Sequence, residues 1–141
     1  MKMVCAMLIS VLLGTSVGAQ ARRLPMQGKG SGVATQESPF FCNVKALSPA
    51  ARARHFEELG PALRSLKTGV KELPNGYAFQ FPPDSATVAL VAEWAAGERA
   101  CCPFFDIDLR FDREGGPLWL NLTGREGTKE FIKVDTAAWI K

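Results

Sequence analysis

Two adjacent cysteines, Cys101 and Cys102, close the run EWAAGERACCPFF, with Glu98 just ahead of them and Pro103 directly after. Thiolates are soft ligands and good nucleophiles. Neighbouring thiols beside a carboxylate therefore point to soft-ion ligation or to thiol–disulfide chemistry. Upstream lie a third thiol, Cys42, and the only histidine, His55. Imidazole and thiolate together suit mercury, cuprous copper, zinc or arsenite. The candidate metal ligands are thus Cys42, His55, Cys101 and Cys102, with Arg52, Glu98 and Arg99 as supporting polar residues.

The elements that must position them are legible. Ser48-Pro49 is a helix start, a hydroxyl cap with proline in the first turn, and the helix runs to about Leu66 with a bend expected at Gly60-Pro61. Asn75-Gly76 joins two short strand-like runs as a hairpin. Asp84 caps a second helix, Ser85 to about Cys101, which Pro103 stops. In FFDIDLRFD, Phe105, Ile107, Leu109 and Phe111 alternate with Asp106, Asp108 and Arg110, the pattern of a strand. LWLNL repeats the pattern after the turn REGGP, and a last helix falls in EGTKEFIKVDTAAWI. The order α-ββ-α-ββ-α predicts an α+β fold, an antiparallel sheet of about four strands with helices packed on one face.

On a wheel of ~100° per residue, Val88, Leu90, Val91, Trp94 and Ala95 define an apolar arc of roughly 160°. Glu98, Cys101 and Cys102 fall inside that arc. On the first helix, Arg52 and His55 share the face of Phe56, Leu59, Leu63 and Leu66, whereas Arg54, Glu57, Glu58 and Arg64 do not. An unpaired buried carboxylate is very costly, so Glu98 needs Arg52 or His55 as a partner.

The first residues, MKMVCAMLISVLLGTSVGAQA, have a basic start, a short apolar run and small residues suited to cleavage near Ala19 or Ala21. The expected organisation is a signal peptide over 1–19, a Gly-rich tether over 20–41 and one domain over 42–141. The apolar run is too short for stable membrane insertion, and the mature chain is expected in the periplasm or outside the cell. Cleavage removes Cys5 and leaves Cys42, Cys101 and Cys102, an odd count for an oxidising compartment. A net charge of +3, scattered along the chain, excludes a nucleic-acid partner. No protein partner is legible.

The stretches CNVKALSPAARARH, ELPNGYAFQFP, AEWAAGERACCPFFDIDL and GGPLWLNLTGREGTKEFI resemble a family of small, largely uncharacterised bacterial proteins with a Glu-Arg-x-Cys-Cys-Pro-Phe signature. The likeness covers roughly 42–132 and carries over Cys42, His55, Glu98, Arg99, Cys101, Cys102 and Pro103. Arg52 and Arg54 also fit, although the family usually has an acidic residue where Ala51 stands. The export signal is a second departure, since the family is associated with cytoplasmic chains. The resemblance implies an association with metal-resistance gene neighbourhoods.

Three chemistries stay open. A soft-metal or metalloid site uses the thiols and His55, although a helix C-terminus disfavours thiolates. Thiol redox chemistry pairs Cys42 with Cys101 or Cys102, without a Cys-x-x-Cys motif and with a thiol pKa raised by its position. A structural staple joins Cys42 to one helix cysteine and leaves the other inert. With one histidine and no Gly-rich phosphate loop, hydrolytic and nucleotide enzymes fit poorly. The expectation is a metal-binding or sequestering domain and not an enzyme.

Overall fold

The computed structural model describes residues 37–141. The expected signal peptide, its expected cleavage sites and residues 20–36 of the expected tether lie outside this range. Among the described residues no helix is long and apolar enough to cross a membrane.

A short 3-10 turn, Val44–Ala46, leads into a helical rod made of α1 (Pro49–Ala53), a π-helical segment (Arg54–Leu59) and α2 (Gly60–Leu66). Ser48 caps it, its hydroxyl accepting the Ala51 N–H at 3.3 Å. Strands β1 (Gly69–Leu73) and β2 (Gly76–Phe81) follow, then α3 (Ser85–Cys101), β3 (Phe105–Phe111), β4 (Leu118–Gly124), α4 (Thr128–Asp135) and α5 (Ala137–Ile140). Asp84 caps α3 by accepting from both the amide and the hydroxyl of Thr87. The last helix of the sequence reading is broken at Thr136, whose hydroxyl turns back to the Ile132 carbonyl.

The four strands form one antiparallel sheet in the order β1-β2-β4-β3. Register places Tyr77, Phe79 and Phe81 opposite Leu122, Leu120 and Leu118. These residues alternate along their strands, so all six enter the core from one face. The other face carries Arg110, Trp119 and Asn121, tied into polar contacts with Asp112 and Asp108. The helices therefore cover a single face, as the α+β reading expects.

The rod differs from the expected straight helix. Pro61 has no N–H, and its ring crowds the carbonyl four residues back. The chain answers by widening the preceding turn, so that the Gly60 N–H reaches five residues back to the His55 carbonyl. The expected bend becomes a change of phase. His55, Leu59 and Leu63 are buried, while Phe56, expected beside them, is 41% exposed.

The hairpin at Asn75-Gly76 forms as expected, for a different reason. Gly76 is not in a left-handed conformation; a Cβ there would lie 2.0 Å from the Leu122 carbonyl oxygen of β4. Glycine is what lets β2 and β4 approach.

Contacts with the domain begin ahead of Cys42, inside the stretch read as tether. The ring of Phe40 lies 5.2 Å from Phe104 and 6.4 Å from Phe131, under the Arg125 guanidinium at 4.3 Å. Arg125 also bonds the Glu37 carboxylate and the Ser38 carbonyl. Phe40→Ala should therefore destabilise the domain by about 1–3 kcal/mol, read as a lower midpoint in urea unfolding. An unchanged midpoint would mean that this segment is a tether.

Candidate functional site

The site is built at the C-terminal end of α3, where helical spacing brings Glu98, Cys101 and Cys102 to the inward face. All three are buried, Cys101 and Cys102 completely. The segment before the first helix docks against this end. The Asn43 N–H donates to the Cys101 carbonyl at 2.7 Å, satisfying an acceptor that a helix end leaves orphaned. Cys42 forms a disulfide with Cys102, their Cα atoms 4.9 Å apart, and Cys101 is a free, buried thiol.

The free thiol is tightly surrounded. Its Sγ lies 3.6 Å from the Cys102 sulfur and 3.7 Å from both the Glu98 carbonyl and Glu98 Oε2. Burial pushes its pKa up to about 12, with the Glu98 charge and hydrogen bond adding to the effect. At neutral pH it is a protonated donor, not a nucleophile.

Glu98 takes His55 as its partner: His55 Nε2 donates to Glu98 Oε2 at 2.9 Å, both side chains almost fully buried. The imidazole is held flat against Trp94, centroids 5.5 Å apart and planes within 12°. Its Nδ1 has no hydrogen-bond partner among the described residues. It faces α3 at Gly97, where a Cβ would lie 2.5 Å from Nδ1. A glycine inside a helix costs roughly 1 kcal/mol against alanine; here it makes room for the ring. That interior glycine, one residue before Glu98, was the signal in the sequence that something packs closely there.

The supporting arginines fall elsewhere. Arg52, expected to face the site, is half-exposed and forms no ion pair among the described residues. Arg99 is exposed and likewise unpaired in that range. The cation that links the two helices is Arg54, set aside in the sequence reading. It grips the Glu93 carboxylate with two hydrogen bonds of 2.9 Å and also bonds Glu58. These neighbours hold its pKa above the usual arginine value.

One ligand atom from each of Cys42, Glu98, Cys101 and Cys102 lies within 4.8 Å of all the others. Of the four expected ligands, three are in this group. Glu98 occupies the fourth place, and His55 stands behind it, orienting the carboxylate. Beside the group runs a cleft of about 170 Å³ whose lining includes Cys42, His55, Glu98, Trp94 and Trp139.

No protein-family model, curated protein or solved structure matches the chain.

Substituting Gly97→Ala should drive the His55 ring from Glu98 at a cost of about 1–3 kcal/mol. In the native protein at pH 8, Cys101 should react with iodoacetamide on the order of a hundredfold more slowly than in urea, and Gly97→Ala should raise that rate. Equal rates in native and unfolded protein would refute the buried, protonated thiol.

Proposed function

We propose that this chain is an exported domain that sequesters a soft metal or metalloid ion, with Cys42, Cys101, Cys102 and Glu98 as ligands in the reduced protein. It is not an enzyme in this reading. The observation that carries the proposal is the convergence of three sulfurs and one carboxylate oxygen within 4.8 Å. Around a tetrahedral ion with bonds of about 2.3 Å to sulfur, neighbouring sulfurs stand ~3.8 Å apart. The Cys101 and Cys102 sulfurs, at 3.6 Å, are already near that separation.

Charge supports the same reading. Ionising thiols at a helix C-terminus beside a buried carboxylate is unfavourable without a cation. A bound ion supplies the missing positive charge and displaces the thiol protons. Selectivity follows from softness: mercuric, cuprous or arsenite species suit the thiol-rich set better than hard cations, and zinc is the borderline case. The resemblance to the Glu-Arg-x-Cys-Cys-Pro-Phe family, with its metal-resistance neighbourhoods, and the signal-like N-terminus are consistent with a periplasmic trap.

A second reading rests on the Cys42–Cys102 bond itself. A link across a sequence separation of 60 staples the first segment to α3, a contribution of typically ~2–4 kcal/mol. The domain is then a disulfide-stabilised module, and Cys101 is a small buried hydrophobe. The two readings coincide if the disulfide is the closed form of the metal site.

Native mass spectrometry of the mature protein, isolated without chelator or reductant and then reduced under anaerobic conditions, separates them. The expected result is one mercuric ion or one arsenite-derived arsenic per chain only after reduction, lost in Cys101→Ser while far-ultraviolet circular dichroism is unchanged. Zinc affinity should rise with pH by about tenfold per unit for each thiol proton displaced, because the Cys101 proton is held up to about pH 12. A folded, reduced protein that binds none of these ions would sink the metal reading and leave the staple.

A further inference from the structure

The two cysteines of the disulfide differ in burial. Cys102 is fully buried, whereas Cys42 is half-buried and forms part of the cleft wall. Attack by Cys101 would only move the bond to another pair of sulfurs and would leave one disulfide in place. Reduction therefore has to come from outside, through the cleft.

The cleft describes what would enter. Its volume of about 170 Å³ is below the roughly 300–1,000 Å³ of pockets that hold drug-sized ligands, so the occupant is small. Two indole rings in contact, Trp94 and Trp139 with centroids 5.0 Å apart, form its apolar side. Arg64 and Asp135 also line it, both exposed and neither in an ion pair among the described residues. A free cation, a free anion and one residue of the disulfide, Cys42, thus border one small cleft.

The geometry points to Cys42 as the sulfur at which the site is opened, by a small α-amino-acid thiol of the free-cysteine type. Its carboxylate is read by Arg64, its ammonium by Asp135, and its thiolate meets Cys42. This rests on reading the disulfide as the closed form of the metal site.

The chemistry balances. The incoming thiol loses its proton to water, and its thiolate attacks Cys42 Sγ. A new sulfur–sulfur bond to Cys42 forms as the bond to Cys102 breaks, and the electron pair leaves on Cys102, which takes up a proton. A second molecule of the thiol then attacks the mixed disulfide, departs with the first as the symmetrical disulfide, and leaves Cys42 as a thiol. Two thiols are oxidised and one protein disulfide is reduced, leaving three thiols and Glu98 together.

The test uses the mature oxidised protein with no metal present, so its outcome is separable from that of the metal titration. The protein is exposed to L-cysteine, cysteamine, 3-mercaptopropionate or 2-mercaptoethanol, quenched with acid, and the mixed disulfide is located by peptide mass mapping. Rates are corrected for the thiolate fraction of each reagent. The expected result is modification at Cys42, with L-cysteine faster than 2-mercaptoethanol by about tenfold, as one charge-assisted hydrogen bond would supply. Cysteamine and 3-mercaptopropionate should fall between. Arg64→Gln and Asp135→Asn should each reduce the advantage without changing the circular dichroism spectrum. Modification at Cys102, or equal corrected rates for the four thiols, would overturn the proposal even if the reduced protein binds metal.

Discussion

A carboxylate buried at the end of a helix sets the terms for the rest of this domain. Glu98 is nearly inaccessible to water, and its negative charge adds to that of the α3 C-terminus. Such a group persists only where donors reach it. One comes from its own helix, the Cys101 thiol, and the other from the first helical rod, His55 Nε2. The second requirement fixes the spacing of the two helices. It also accounts for the glycine at 97 and the indole that supports the imidazole.

The same carboxylate controls the thiols. Cys101 is kept protonated by burial and by Glu98, while Cys102 is occupied by its bond to Cys42. The oxidised domain therefore presents little thiolate to its surroundings, although three sulfurs lie close together. The proton on Cys101 and the Cys42–Cys102 bond keep all three sulfurs uncharged.

Much of this is legible in the sequence. The Asp84 cap and the stop at Pro103 set the limits of α3, and the alternation in β3 and β4 identified the inward face. Glu98 and the two cysteines fell on that face because α3 is a regular helix, to which a wheel applies. The first rod is not regular. It contains a π turn, and Phe56 faces outward there while His55, Leu59 and Leu63 keep their expected inward places. The partner cation of the rod, Arg54 rather than Arg52, was missed because it serves an exposed contact to Glu93, which no apolar pattern marks. The pairing of Cys42 with Cys102 rather than Cys101 depends on how the loop before the rod docks, a three-dimensional matter that spacing does not encode.

The π-helical segment has one more consequence. It amounts to a spare residue inserted into the rod, and a helix that lost it would return to α-helical phase. Every side chain beyond the deletion would then swing by ~100° about the axis. Leu59 and Leu63 would leave the core, or else His55 would leave Glu98. The rod between Arg54 and Leu59 thus behaves as a reading frame for its own faces, in which length, more than the identity of any one side chain, is what has to be conserved for the two helices to keep facing each other.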